Sequence, residues 1–253
     1  MASGGVPNAY AKPEKGATMT ETRPDLGRRQ LLGISFSAVG GVAVAACGSS
    51  QPMATPSSSP QPEEVTPPED LMREHGVLKR VLLIYREGIR RVDAGDQLPA
   101  QELNASAEII RSFIEDYHEH LEEQYVFPKL EQAGKLTDIT AVLRTQHQRG
   151  RALTDRVLSA TTGVSTDPAR AALRNDLSAF IRMYEPHEAR EDTVVFPALR
   201  EVLPGKEFLD LAEMFEDEEH RRFGPAGFEG VVSKVADIEN SLGIYDLSQF
   251  TPT

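Results

Sequence analysis

The feature that most constrains the fold is an eleven-residue pattern that occurs twice. Residues 118–128 read HEHLEEQYVFP and residues 187–197 read HEAREDTVVFP, an offset of 69 residues. Each copy has a histidine four residues before a glutamate and ends in Phe-Pro, and a spacing of four puts both side chains on one face of a helix. Two such helices that face each other would gather two imidazoles and two carboxylates around one point, which suits metal ions better than a packed core.

After Pro68 the apolar residues recur with helical periodicity, and no segment alternates as a strand would. This pattern predicts helices over about 70–92, 99–133 and 137–160, a fourth from Asp167-Pro168, a fifth over about 205–223 and a short sixth over 225–242. Prolines inside the second and fourth helices, Pro128 and Pro186, predict a bend or a kink. Because the connections between the first four helices are short, we expect an all-α up-down four-helix bundle with one or two extra C-terminal helices.

Each of the four helices carries one histidine on its apolar stripe: His75, His118, His147 and His187. His75 and His118 are 43 residues apart and His147 and His187 are 40 apart, which indicates two related helical hairpins. The inner stripes of the second and fourth helices also include Glu122 and Glu191 and run on to Tyr125 and Val194.

A single histidine on an apolar stripe is more often a core residue than a ligand. Inward glutamates are much rarer, because a buried carboxylate without a partner costs several kcal/mol. Their recurrence at matched positions favours a metal site, and imidazole with carboxylate suits iron, manganese or zinc. If Glu122 and Glu191 both bridge two ions, an added oxo or hydroxo bridge leaves one open position per ion for dioxygen, peroxide or nitric oxide.

Several neighbours are candidates for a supporting role. Glu115 and Tyr184 each lie three residues before a repeat histidine on the same face; either is an extra ligand, a redox-active neighbour or, as we favour, a hydrogen-bond partner of a ligand. Glu119 and Glu188 lie about 100° around the helix from those histidines and are candidates for hydrogen bonds to the ligands. His220 on the fifth helix is a further ligand only if that helix caps the site; a surface or supporting role is favoured.

The pattern H…HxxxE…H…HxxxE, with Val-Phe-Pro after each glutamate, resembles the hemerythrin-like (HHE cation-binding) family over about residues 70–200. The resemblance implies a four-helix bundle with two non-heme iron ions, oxo- or hydroxo-bridged, that handles dioxygen or reactive oxygen and nitrogen species; zinc or manganese is less favoured. It implies as ligands His75, His118, Glu122, His147, His187 and Glu191, with the glutamates bridging.

One position departs from the oxygen-carrying members of that family. They have a further histidine four residues after the third-helix histidine, where this chain has Arg151. We therefore expect peroxide or nitric oxide chemistry, or redox sensing, rather than simple oxygen carriage. The main hypothesis is a peroxide-consuming or other di-iron activity. An iron-binding sensor or reservoir without turnover is the alternative, and a structural zinc bundle is a third.

The N-terminal residues predict export. Arg28-Arg29 precedes an apolar run over 33–46, and Val-Ala-Ala before Cys47, the only cysteine, resembles a lipoprotein signal. We expect an export signal at 1–46 that starts at Met1 or Met19, a Ser/Pro-rich linker at 47–69, a helical domain at 70–243 and a tail at 244–253. The expected location is the outer face of the cytoplasmic membrane, with lipid on Cys47; otherwise the protein is periplasmic or secreted.

Charge and missing motifs exclude other classes of function. The net charge is −12; residues 1–46 carry +2, so the remainder carries −14. This acidity argues against nucleic acid as a partner and against binding to anionic lipid, so membrane contact would come from the lipid anchor. No Ser-His-Asp set, glycine-rich phosphate loop or CxxC pair is visible, which gives hydrolase and nucleotide-dependent functions no support.

Overall fold

The computed structural model of the protein describes residues 65–163 and 166–252. Every regular element within these residues is helical, and none is a strand. The predicted export signal lies outside the described residues, and so do residues 47–64 of the predicted linker, which include Cys47. In the described part, no helix combines the length and the apolar character needed to cross a bilayer.

Four long helices follow one another with short connections. Helix α1 is Pro67–Ala94, α2 spans 100–132, α3 is Thr137–Thr161 and α4 spans 167–202. Helix α1 packs against α2 and α4, and α3 packs against the same two helices, so the four close around one core. The predicted all-α up-down bundle is therefore confirmed.

Local signals in the sequence fix the ends of α1. Pro67 occupies the first helical position, where its missing N–H costs nothing. The Glu69 carboxylate accepts hydrogen bonds from the backbone N–H and the hydroxyl of Thr66 at 3.0 and 2.6 Å. At the other end, Gly95 takes the left-handed conformation with φ of 75°, which glycine adopts at little cost. The helix thus begins three residues before the predicted start.

Two further helices cover one side of the bundle. Helix α5 is Gly205–Phe223 and α6 is Gly227–Leu242, joined by the 3-10 turn Gly224–Ala226. Helix α6 packs against α1, α2 and α5. The tail carries one more 3-10 turn, Leu247–Phe250. The extra C-terminal helices therefore extend the core on the α1–α2 side.

Equivalent π-helical turns interrupt the α-helical pattern in the two repeats. They are Glu122–Val126 in α2 and Glu191–Val195 in α4, and Phe-Pro follows each. Proline lacks an N–H and clashes with the carbonyl four residues earlier, so the wider turns let both helices continue past Pro128 and Pro197. A further π segment, Ile110–His118, has no counterpart in α4, where residues 179–187 are α-helical. Helix α4 also continues through its other proline, at position 186.

The wider turns correct the predicted inner stripes. Periodicity places Tyr125 and Val194 inside, but Tyr125 is 37% exposed and Val194 is only half-buried. The next residues, Val126 and Val195, are fully buried instead. A π turn holds more residues than an α turn, so the residue that reaches the core comes one position later in both repeats.

Candidate metal centre

Six side chains that can bind metal come together in the middle of the bundle, and they come from all four of its helices. Their nitrogen and oxygen atoms form two overlapping groups that share Glu122, and within each group the atoms lie within 4.8 Å of one another. No member is more than 3% exposed. The members are His75 of α1, His118 and Glu122 of α2, His147 of α3, and His187 and Glu191 of α4.

The four histidines form two pairs. The Nε2 atoms of His75 and His118 are 3.1 Å apart, and those of His147 and His187 are 3.2 Å apart. Each pair joins neighbouring helices of one hairpin, α1 with α2 and α3 with α4. Two imidazoles that bind one first-row ion at about 2.1 Å, at right angles to each other, have their nitrogens about 3 Å apart. Each pair therefore has the spacing of two ligands on one ion.

The two glutamates connect the histidine pairs. Glu122 Oε1 lies 3.7 Å from His118 Nε2, and Glu122 Oε2 lies 3.5 Å from His147 Nε2. Glu191 Oε2 lies 3.1 Å from His187 Nε2 and 3.4 Å from His75 Nε2. Each carboxylate thus lies near one histidine of each pair, as expected for a carboxylate that two ions could share.

Every histidine of the centre is oriented by a residue of a neighbouring helix. The Nδ1 atoms of all four lie 2.7–2.9 Å from a carboxylate or amide oxygen. We assign the proton to Nδ1, which leaves the Nε2 lone pair directed into the centre. The four contacts run in a closed cycle from α1 to α4: Glu74 of α1 to His118, Glu123 of α2 to His147, Gln146 of α3 to His187, and Asp192 of α4 to His75.

These residues fit a bound cation. With the imidazole protons on Nδ1, two Nε2 lone pairs face each other in each pair with no hydrogen between them. The four oxygens of Glu122 and Glu191 are buried and accept no N–H or O–H hydrogen bond in the described residues. Buried acceptors normally have a donor, and leaving them without one is costly. Positive charge between the pairs would satisfy all of these atoms at once.

The acid–base properties of the centre also reflect this excess of acceptors. Burial raises the pKa of Glu122 well above its usual value, and the nearby Glu191 carboxylate adds to the rise. Burial opposes ionisation of Glu191 too, but His187 and His75 hold its pKa well below the usual range. Burial lowers the pKa of His75, yet the hydrogen bond to Asp192 and the nearby negative charge of Glu191 outweigh burial and raise that pKa to about 9. The cluster therefore attracts a positive charge.

Comparison with known proteins agrees with this donor set. A family model described as the hemerythrin HHE cation binding domain matches residues 66–199 and again residues 139–225. The chain belongs to the hemerythrin family. It is similar to Uncharacterized protein Mb2018 of Mycobacterium bovis and to Uncharacterized proteins MT2051 and Rv1995 of Mycobacterium tuberculosis. Each is 68% identical over 247 residues, which cover 94% of this chain and 97% of the relative. No solved structure gives a significant match.

In this hemerythrin domain, Glu115, Glu119 and Tyr184 are buried but turn to partners outside the six-residue group. Glu115 accepts a hydrogen bond from Thr154 at 2.5 Å and pairs with an arginine of its own helix at 2.8 Å. Tyr184 donates to Glu119 at 2.6 Å, while its ring stands edge-on to the imidazole of the fourth-helix histidine. Glu119 also pairs with Arg151 at 2.9 Å. Together these residues form a polar layer beside the centre.

Two other predicted neighbours differ in burial, and among the described residues the structure gives neither a hydrogen bond to a histidine of the centre. Glu188 is buried and accepts a hydrogen bond from Lys79 at 2.6 Å. His220 is exposed on α5 and belongs to none of the potential metal-binding groups of the described residues. Its neighbour Glu219 is buried instead, within 4.8 Å of Asp70 and Glu74. Helix α5 therefore places the carboxylate of Glu219 near Glu74, the residue that contacts His118, whereas His220 of the same helix is exposed.

Arg151, at the position of the further histidine in oxygen carriers, points away from the centre. Its guanidinium lies 2.9 Å from Glu119 and 3.0 Å from Glu123, and 29% of its side chain is exposed. Glu123 in turn accepts from His147 Nδ1. Arg151 thus places a positive charge one hydrogen bond behind the third-helix histidine.

Sequence reasoning missed the four residues that orient the histidines. Glu74 and Gln146 each precede a histidine, and Glu123 and Asp192 each follow the glutamate of a repeat. The signal was the duplication itself: the two pairs occupy equivalent places in the two hairpins. Equivalent polar residues beside ligand positions are the pattern that could have identified them.

Proposed function

We propose that this hemerythrin domain holds two iron ions, one at each histidine pair, with Glu122 and Glu191 shared between them. When bound, iron at such a site supplies redox chemistry and open positions for dioxygen, peroxide or nitric oxide. The observation that carries the proposal is the set of buried glutamate oxygens without hydrogen-bond donors, placed between two converging pairs of Nε2 atoms. Nitrogen and oxygen donors without sulfur suit iron, manganese or zinc, and membership of the hemerythrin family favours iron.

Burial limits what can react there. The six side chains are at most 3% exposed, and aromatic rings flank the imidazoles: Phe196 stacks on His75 at 5.5 Å, and Phe127 stacks on His147 at 5.7 Å. These apolar walls exclude bulk water and leave little room for a large substrate. The expected ligands are therefore molecules of two to four atoms. With Arg151 turned outward, this chain adds no fifth histidine from α3.

The residues around the centre have separable tasks. The Nδ1 partners hold each imidazole in one tautomer and one orientation. Tyr184 and Glu119 place a phenol proton beside an acceptor at 2.6 Å, next to the ligand His187. Burial raises the pKa of Tyr184 well above its usual value, and the carboxylate of Glu119 adds to this, so the phenol keeps its proton at neutral pH. Tyr184 is thus a hydrogen-bond donor to Glu119 that lies beside His187.

Metal analysis of the purified full chain tests the proposal. We expect about two iron ions per chain and near-ultraviolet absorption. Glu122→Ala removes a carboxylate shared by both positions and should lower the content of both ions. His220→Ala, which changes an exposed histidine, is the control and should keep two. A colourless protein that holds only zinc, or a Glu122→Ala variant with full iron content, would contradict the proposal.

Peroxide assays separate catalysis from binding. Rapid consumption of peroxide that is lost in Glu122→Ala would support an enzyme. A change in the absorption spectrum on adding peroxide, dioxygen or nitric oxide, without turnover, would instead indicate a sensor. Release of iron to a chelator with neither response would indicate a reservoir.

We also propose that the chain is exported through its twin-arginine signal and anchored through lipid on Cys47. The order of Arg28-Arg29, the apolar run and the cysteine supports this. Residues 48–64, rich in serine and proline, would then serve as a tether. Cys47→Ala should move the protein from the membrane fraction to the soluble fraction, and replacing both arginines by lysine should keep it in the cytoplasm. An unchanged membrane fraction for Cys47→Ala would contradict the anchor.

A further inference from the structure

The two hairpins orient their histidines in the same way but with different charge. Glu74 precedes His75 and accepts from His118 at 2.7 Å; Gln146 precedes the third-helix histidine and accepts from His187 at 2.9 Å. The two acceptors occupy equivalent places in the duplicated framework, and their side chains have nearly the same shape. One is a carboxylate and the other a neutral amide.

The second pair of equivalent acceptors makes the difference larger. Asp192 accepts from His75 Nδ1 at 2.7 Å, and Glu123 accepts from His147 Nδ1 at 2.9 Å. Glu123 also lies 3.0 Å from the guanidinium of Arg151, which it shares with Glu119 at 2.9 Å, so the arginine offsets part of its negative charge. The His147 side of the centre therefore has an amide and an arginine-paired carboxylate behind its histidines.

On the other side, more acidic groups stand behind Glu74. Asp70 and Glu219 lie within 4.8 Å of Glu74, and all three are buried. The acceptor of His118 is thus a carboxylate within an acidic group, whereas the acceptor of His187 is an amide that carries no charge.

From this asymmetry we infer that the two ion positions are inequivalent. The position at His75 and His118 binds a divalent cation more tightly and fills first; the position at His147 and His187 is weaker and exchanges its ion more readily. A carboxylate that accepts from Nδ1–H makes the imidazole a stronger ligand, and negative charge nearby attracts the cation. The inference rests on the proposed two-ion centre and assigns Glu74 and Gln146 as the residues that set the order of filling.

Stepwise cation binding tests it, with Co²⁺ as the probe. The full chain, stripped of metal, is titrated with Co²⁺ under anaerobic conditions and followed by calorimetry and visible absorption. We expect two steps whose dissociation constants differ by about tenfold or more, since changes to such hydrogen-bond partners alter metal affinity by about 10–100-fold. Binding of no cation would overturn the proposed centre; two indistinguishable steps would leave that centre intact and overturn the inequivalence.

Matched charge swaps identify the residues. Glu74→Gln should weaken the first step by about 10–100-fold and leave the second nearly unchanged, whereas Gln146→Glu should tighten the second step. The double variant should reverse the order, so that adding His187→Ala then removes the tighter step. If Glu74→Gln weakens both steps equally, its role is only structural. If that variant does not fold, as judged by circular dichroism in EDTA, an unchanged second step in Gln146→Glu still refutes the assignment.

Discussion

Replacing Gly150 by alanine should destabilise the bundle, because Tyr184 already fills the space the new methyl group needs. A Cβ at position 150 would lie 1.9 Å from the Tyr184 oxygen and 2.8 Å from Cζ, whereas carbon contacts are normally about 3.5–4.0 Å. The tyrosine is 1% exposed, packs against Phe180 at 4.3 Å between ring centroids and donates to Glu119 at 2.6 Å. It can move only by giving up these contacts.

Three contributions set the expected size of the effect. Overpacking a filled core costs about 1–3 kcal/mol. Loss of the tyrosine hydrogen bond to a charged carboxylate costs about 1.5–3 kcal/mol. The better helix propensity of alanine returns about 1 kcal/mol. The net loss for Gly150→Ala is therefore about 1.5–5 kcal/mol. This is a large share of the stability of a typical domain, which is about 5–15 kcal/mol.

Urea unfolding followed by circular dichroism measures this loss. The control is Gly76→Ala on α1, an exposed position where a Cβ meets no atom within 4 Å; it should gain up to about 1 kcal/mol. Adding Tyr184→Phe to Gly150→Ala removes the worst overlap, so the pair should cost less than the sum of the single changes. A wild-type unfolding midpoint for Gly150→Ala would refute the reasoning.

Two further substitutions test the outer helices. Glu239→Ala on α6 removes the buried carboxylate that accepts from the guanidinium of Arg80 at 3.0 Å. Thermal unfolding should then show that the free energy of unfolding falls by about 1–3 kcal/mol. An unchanged free energy would mean that this pair does not hold α6 on the bundle. In α5, hydrogen bonds from Arg221 and then Arg222 lower the pKa of Glu218 from 4.5 to about 2. Because the pKa is lower in the folded state, the ionised Glu218 stabilises the fold above pH 4.5, and this stabilisation is lost as the pH falls toward 2. Glu218→Gln should therefore cost about 0.5–1 kcal/mol at pH 7 and nothing near pH 2, because exposed pairs contribute little; an equal cost at both pH values would exclude the ion pair as its cause.

Helical periodicity predicted the bundle because apolar burial dominates the choice of inner face. His75, Leu78, Leu82 and Tyr85 step by three and four along one stripe of α1 and are all buried. The prediction failed just past each repeat glutamate, at Tyr125 and at Val194. Periodicity assumes a constant number of residues per turn, and the π turns before Phe-Pro change that number locally.

The residues that orient the histidines were harder to predict for a different reason. Glu123 and Asp192 each lie about 100° around their helix from the glutamate of a repeat, an angle that usually means a flank or a solvated face. Their partners are histidines on neighbouring helices, at 2.9 and 2.7 Å. Whether a flanking carboxylate meets water or an imidazole depends on which helix lies beside it, and that is a property of the packed bundle.

The cyclic order of these contacts makes the bundle and the centre one unit. Taken alone, the α1–α2 hairpin keeps the contact of Glu74 with His118, but His75 depends on Asp192 of α4. The α3–α4 hairpin likewise keeps Gln146 with its histidine, while the α3 histidine depends on α2. Although each hairpin carries a histidine pair, neither fixes both of its imidazoles without the other. Glu122 and Glu191 add the same dependence, since each lies within 3.7 Å of a histidine of each hairpin. Duplication of a hairpin therefore yields the whole six-residue cluster only when the two copies pack together, which explains why the cluster lies where all four helices meet.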